Sequence, residues 1–176
     1  MMLYILVEGN DDERFMNRIV IPELKCERNS VQIFKYRNHR NKKVTSLVKS
    51  ITRMGDKYIF IGDYNKCVCY SQVKLRIKRK YKIIDEKLSF VAKMEIESWY
   101  CAGLSDAEQN KYKIRKRNTE NINKEEFNRC VSRAGYDSRI QYMSDLLENY
   151  KIEVAKKKNN SFKYFIDKIG IFICKI

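Results

Sequence analysis

A chain of 176 residues and 21.1 kDa is one domain, or one domain with a small appendage, which excludes a large multidomain machine. Its 37 Lys and Arg against 22 Asp and Glu leave a formal charge of +15, while 44% hydrophobic residues supply enough apolar material for a core and exclude disorder as the default. Such an excess of cations favours polyphosphate partners, nucleic acid ahead of anionic membrane. The six cysteines have no regular spacing, and the short apolar N-terminus runs straight into acids. No signal peptide, membrane span or disulfide framework is expected, which points to a reducing, cytoplasmic setting.

Leu3-Tyr4-Ile5-Leu6-Val7 is a continuous apolar run of the kind a central parallel strand needs. Asn10 or Asp11 then caps a helix with Phe15, Met16, Ile19 and Val20 inward, halted near Pro22. Val31 to Tyr36 is a second strand, and Val44, Leu47, Val48 and Ile51 recur at helical spacing. Tyr58 to Ile61 is a third buried run, ending at Gly62-Asp63. Residues 70–81 fit helix or strand, and the crossover rhythm of a parallel sheet selects the helix. Leu88 to Met94 supplies a fourth strand, with a helix beginning around Ile96, Trp99 and Tyr100. From about residue 105 the pattern is helical, with Asn123 and Glu126 as a capping pair before Phe127, Cys130 and Val131. A stripe of Ile140, Met143, Leu146, Leu147 and Tyr150 follows, then a last helix capped by Ser161. The expected fold is α/β: a Rossmann-like, four-stranded, mainly parallel sheet over residues 1–104, flanked by helices, with residues 105–176 as a helical C-terminal extension.

Open parallel sheets gather ligands beyond the carboxyl ends of their strands, and here acids stand there. Glu8 follows the first strand, Asp63 the third, and Glu95 and Glu97 the fourth. Mg²⁺ or Mn²⁺ takes oxygen ligands, and convergent strand-end carboxylates offset their mutual repulsion by holding such a cation. Asp11, Asp12 and Glu13 also suit the first turn of a helix with no further role, since acids complement its dipole there.

Leu6-Val7-Glu8-Gly9 followed by acids, with Asp63 and the Glu97-Ser98-Trp99 element, resembles the Toprim domains of topoisomerases, bacterial primases, OLD-family nucleases and ribonuclease M5. The resemblance implies that Glu8 is a metal ligand or general acid/base and Asp63 a Mg²⁺ ligand. It implies that Asp12 and Glu97 are supporting acids, with Glu8, Asp63 and Glu97 as the catalytic set, while Glu95 is a candidate metal ligand by its place after the fourth strand. Asn65 stands where the family carries a second aspartate; its amide oxygen can coordinate a metal but adds no charge. The implied activity is metal-dependent phosphodiester cleavage or nicking of DNA or RNA, in defence or mobile-element biology. The alternatives are ribonuclease M5-like RNA processing and a catalytically degenerate nucleic-acid-binding subunit. No GxxxxGK[ST] loop is present, so any ATPase would be a separate partner, and a second copy of the chain is the other candidate partner.

Basic residues bunch in three runs: Lys35, Arg37, Arg40, Lys42 and Lys43; Lys74, Arg76, Lys78, Arg79 and Lys80; and Arg115, Lys116 and Arg117. Tyr36, Tyr81 and Tyr112 are interleaved and read as stacking surfaces for unpaired bases. His39, Cys67-Val68-Cys69 and Trp99 carry no clear chemistry and read as incidental or core residues.

Overall fold

The structure is a computed structural model that describes residues 1–24, 30–63, 69–115 and 118–173. The chain divides into two compact units, Met1–Val91 and Ala92–Ile176. Four strands, β1 (Leu3–Val7), β2 (Val31–Lys35), β3 (Lys57–Asp63) and β4 (Ser89–Ala92), form one parallel sheet in the order β2-β1-β3-β4. The two most apolar runs, β1 and β3, take the centre, as they must when both faces of a strand are covered. Leu3, Tyr4, Ile5 and Leu6 of β1 pair with Lys57, Tyr58, Ile59 and Phe60 of β3, and Leu3 to Val7 pair with Val31 to Lys35 on the other side. β4 is shorter than its apolar run suggests, because Glu86–Leu88 forms a 3₁₀ turn capped by the Asp85 carboxylate, which accepts from Lys87 N.

Between the strands the chain is helical. After β1, α1 (Asn10–Phe15) passes through a π-helical segment, Met16–Val20, into α2 (Ile21–Glu23). Pro22 follows the π-helical segment, and the helix ends one residue after it, at Glu23. The cap is Gly9, ahead of the expected Asn10 or Asp11. Next come α3 (Asn41–Arg53) and α4 (Tyr70–Tyr81), and the choice of helix for residues 70–81 agrees with the structure. Val44, Val48 and Ile51 of α3 and Val73, Ile77 and Tyr81 of α4 share one core with Leu6, Tyr58 and Phe60 of the sheet.

The second unit carries α5 (Glu97–Tyr100), α6 (Asp106–Lys111), α7 (Lys124–Arg133), α8 (Arg139–Glu148), α9 (Ile152–Lys158) and α10 (Asn160–Ile173). Its core is aromatic: Trp99 stacks on Phe165 at 5.1 Å and meets Phe162 edge-on at 5.4 Å, while Phe127 meets Tyr142 at 5.3 Å. Two details differ from the periodicity. Ile140 is 58% exposed and Tyr142 takes the inward place, because α8 starts at Arg139 and turns the stripe. Ser161 does not cap α10. Asn159 does so, its Oδ1 accepting from Phe162 N at 3.0 Å, and the Ser161 hydroxyl instead accepts from the Trp99 indole N–H at 3.0 Å and donates to Asn159 Oδ1 at 2.7 Å. A buried indole N–H needs such a partner. Lys156-Lys157-Lys158 has the sequence of a plain surface run, yet the Lys158 ammonium donates to the Leu104 carbonyl, Asp106 and Gln109 as a structural anchor. No helix among the described residues is long and apolar enough to cross a membrane.

Gly103 is needed for space: a Cβ there would lie 2.5 Å from the ring of Tyr150, whose hydroxyl donates to the Trp99 carbonyl at 2.9 Å. Gly103→Ala is therefore expected to lower the stability by about 1–3 kcal/mol, read as a reduced denaturant midpoint with an unchanged slope. An unchanged midpoint would contradict this packing.

Candidate functional site

The chain leaves β1 toward β2 on one side, while β3 and β4 lie on the other, so the reversal of strand order falls between β1 and β3. Carried two residues beyond Leu6–Phe60, the β1–β3 register sets Glu8 level with Gly62 and puts Asp63 one step further along the same rim. Both carboxylates line one cavity of about 350 Å³, together with Tyr36, Arg37, Arg76 and Lys80. Phe60, Gly62, Ile77 and Tyr81 complete its wall. The wall is tight at Gly62, where a Cβ would stand 3.3 Å from Ile77 and 3.7 Å from the Tyr36 hydroxyl.

Each acid beyond β1 has an identifiable partner. Glu8 Oε1 lies 3.3 Å from Arg37 Nη1, and the backbone beside it is fixed by Tyr36 N donating to the Val7 carbonyl at 2.9 Å. Asp12 is buried, and its Oδ2 accepts from Gly9 N at 3.0 Å, half of a capping box, since glycine has no side chain to return the bond. Asp12 thus holds the turn that presents Glu8. Glu13 pairs with Lys35 at 2.6 Å and Asp11 with Arg14 at 2.8 Å.

Tyr36 is the residue that sequence reasoning misjudged. It follows β2, and its hydroxyl donates to the Ile61 carbonyl of β3 at 3.0 Å, so one side chain ties the two strands that flank the end of β1. Its ring stacks on Phe60 at 4.5 Å. Burial first, then the negative charge of Glu8, Asp63 and Asp12, pushes its hydroxyl well above the ordinary tyrosine range. The negative charge nearby thus favours the protonated phenol. Tyr36, Tyr81 and Tyr112 are 8%, 2% and 3% exposed, so none offers an open face to a base. The stacking expectation fails because these rings pack on Phe60 and Tyr142.

The acids after β4 belong to the second unit. Glu97 is buried and pairs with Arg139 at 2.5 Å, and that guanidinium also lies over the Phe127 ring. A buried carboxylate needs such a partner. Glu95 Oε2 accepts from Lys124 N at 2.5 Å, at the first residue of α7. Asn65, Lys116, Arg117 and the start of the Cys67-Val68-Cys69 motif lie outside the described residues. Among the described residues no three Asp, Glu, His or Cys side chains gather closely enough to hold a metal by themselves.

The basic runs divide by what they touch. Lys35 is engaged by Glu13, and Lys74 and Lys78 by Glu86 at 3.0 Å each. Arg40, Lys42 and Lys43 are exposed at the start of α3, whose first turn contains no acid. Arg79 and Arg115 are exposed, whereas Arg37, Arg76 and Lys80 reach the cavity. His39 stacks on Phe34 at 4.9 Å.

The fold is shared with solved structures of OLD proteins. The C-terminal region of the Burkholderia pseudomallei OLD protein superposes with a TM-score of 0.59 at 14% identity, over 97% of this chain and 98% of that one. The C-terminal region of the Xanthomonas campestris pv. campestris OLD protein does so with a TM-score of 0.52 at 13% identity, over 98% of this chain and 95% of that one. At such identity the likeness establishes the fold, a Toprim-like α/β architecture, and nothing finer. No family model and no curated protein matches the chain.

The Tyr36 proton carries a signed consequence. Because its folded-state pKa is raised, its contribution to stability is present below about pH 10 and is lost as pH rises above that value. Tyr36→Phe is expected to lower stability at pH 8 by about 0.5–1.5 kcal/mol, through the bond to the Ile61 carbonyl, and to flatten the decline between pH 9 and 11. Denaturant titrations across that range measure both. An alkaline decline as steep as in the parent chain would contradict the assignment.

Proposed function

We propose that this chain hydrolyses phosphodiester bonds in DNA or RNA with Mg²⁺ or Mn²⁺, as an endonuclease or nickase, with Glu8 and Asp63 as its metal-binding carboxylates. The observation that carries the reading is a single cavity, at the reversal of strand order, lined by both carboxylates and by three cations. The donor set suits a hard cation: Mg²⁺ ordinarily keeps several waters and is bound through one or two protein carboxylates plus substrate phosphate, so a cage of three acids is not required. Bound there, the metal would stabilise charge on the phosphoryl oxygens and make the attacking water acidic.

The chain's own groups do the rest. Asp12 fixes the Glu8-Gly9 turn through its bond to Gly9 N. Tyr36 fixes the end of β3 next to Asp63 by its bond to the Ile61 carbonyl. Arg37 offsets the charge of Glu8 at 3.3 Å. In this reading Glu95 and Glu97 serve the second unit as helix cap and ion-pair partner. A second reading, a nucleic-acid-binding module without catalysis, draws on the Arg37–Glu8 pair, which already satisfies the acid without a metal.

Glu8→Ala and Asp63→Asn are each expected to abolish Mn²⁺ binding by calorimetry and to reduce metal-dependent nicking of plasmid or cleavage of RNA by at least about a hundredfold, with melting unchanged. Full activity in the Glu8→Ala protein would contradict catalysis at this cavity. A parent chain that binds nucleic acid but no Mn²⁺ would select the non-catalytic module.

A further inference from the structure

Four of the five basic residues of α4 form two pairs, each one helical turn apart, and the fifth, Arg79, is exposed. Lys74 and Lys78 both meet Glu86, through its carbonyl and its Oε1 at 3.0 Å each. Arg76 and Lys80 lie two residues further on, about 200° around the helix, and line the cavity that contains Glu8 and Asp63. Among the described residues no carboxylate pairs with Arg76 or Lys80. The Lys80 ammonium stands 5.0 Å from the centre of the Tyr81 ring, which also lines the cavity, so the aromatic face helps retain the charge on that side.

We propose that Arg76 and Lys80 form the phosphate subsite of this cavity and hold one backbone phosphate of the bound strand, while Lys74 and Lys78 of the same helix take no part. The proposal rests on reading the cavity as a nucleic-acid site. A cavity lined by two carboxylates repels a phosphate unless cations on the same wall outweigh them. Arg37 is already paired with Glu8, which leaves the α4 pair to attract the strand. The two side chains divide the task by chemistry: the planar Arg76 guanidinium can grip two phosphate oxygens at once, and the Lys80 ammonium acts as a point charge. A volume of about 350 Å³ is at the lower end of the range of about 300–1,000 Å³ for small-ligand sites, room for about one nucleotide unit.

The test compares Arg76→Gln/Lys80→Gln with Lys74→Gln/Lys78→Gln in the full chain. Affinity for a labelled single-stranded oligonucleotide is measured by fluorescence anisotropy in EDTA, between about 50 and 200 mM salt. The first pair is expected to weaken binding about tenfold or more and to lower the salt slope by about 0.7, the share of one phosphate contact. The second pair is expected to leave affinity within about twofold. Equal losses in both double variants, or no loss in the first while the parent chain still binds, would overturn the subsite alone. A parent chain with no salt-dependent binding would overturn the reading of the cavity itself and the subsite with it.

Discussion

Parallel pairing of β1 with β3, in the register that sets Leu6 opposite Phe60, decides where the chemistry of the first unit can stand. Two strands that run side by side in the same direction end at the same rim, and side chains more than fifty residues apart in sequence then share one wall. β2 and β4 lie on opposite outer edges of the sheet, which leaves β1 and β3 as neighbours at its centre. Glu8 and Asp63 follow from this arrangement, and so does the position of Tyr36, which spans from the end of β2 to the Ile61 carbonyl of β3. The rim is polar because the strands end there, and this phenol and the Asp12–Gly9 bond tie its described edges.

Charge is used differently in different parts of the chain, and this separates structural ions from candidate functional ones. In the second unit buried ionic groups are matched: Glu97 by Arg139, and Glu120 by Lys93 at 3.2 Å and by Ser161 N at 2.7 Å. Removing one member of such a pair strands the other in a poorly solvated place, so these residues are held by the fold irrespective of any ligand. In the first unit the cations on the cavity wall outnumber the carboxylates. The surplus there is suited to an anion from outside, whereas the net positive charge of the whole chain alone says only that polyanions are attracted.

Much of the fold was legible in the sequence because burial on both faces leaves a continuous apolar run, as in Leu3–Val7 and Tyr58–Ile61, and because amphipathic helices repeat at 3.6 residues, as in Val44, Val48 and Ile51. Periodicity failed where a polar atom served a distant group. Ser161 reads as a cap, yet it satisfies the Trp99 indole 62 residues away. Lys158 reads as part of a solvated run, yet its ammonium is surrounded by oxygen acceptors from α6 and the preceding loop. The acids at strand ends were legible as a group, since topology brings carboxyl ends together. The role of Tyr36 was not: a tyrosine between basic residues has the same local pattern whether its ring faces a base or a core. Likewise, the division of α4 into a pair bonded to Glu86 and a cavity pair depends on Glu86, which no spacing rule connects to Lys74 and Lys78.

The central claim is that Glu8 and Asp63 together hold a divalent ion at the end of β1 and β3. Crystals of the chain grown with Mn²⁺ and measured for anomalous scattering test it most directly. The account predicts a peak within coordination distance of both carboxylates, about 2.0–2.6 Å from their oxygens. A peak held instead by Glu95 or Glu97, or a Mn²⁺-saturated crystal with no peak beside residues 8 and 63, would contradict it.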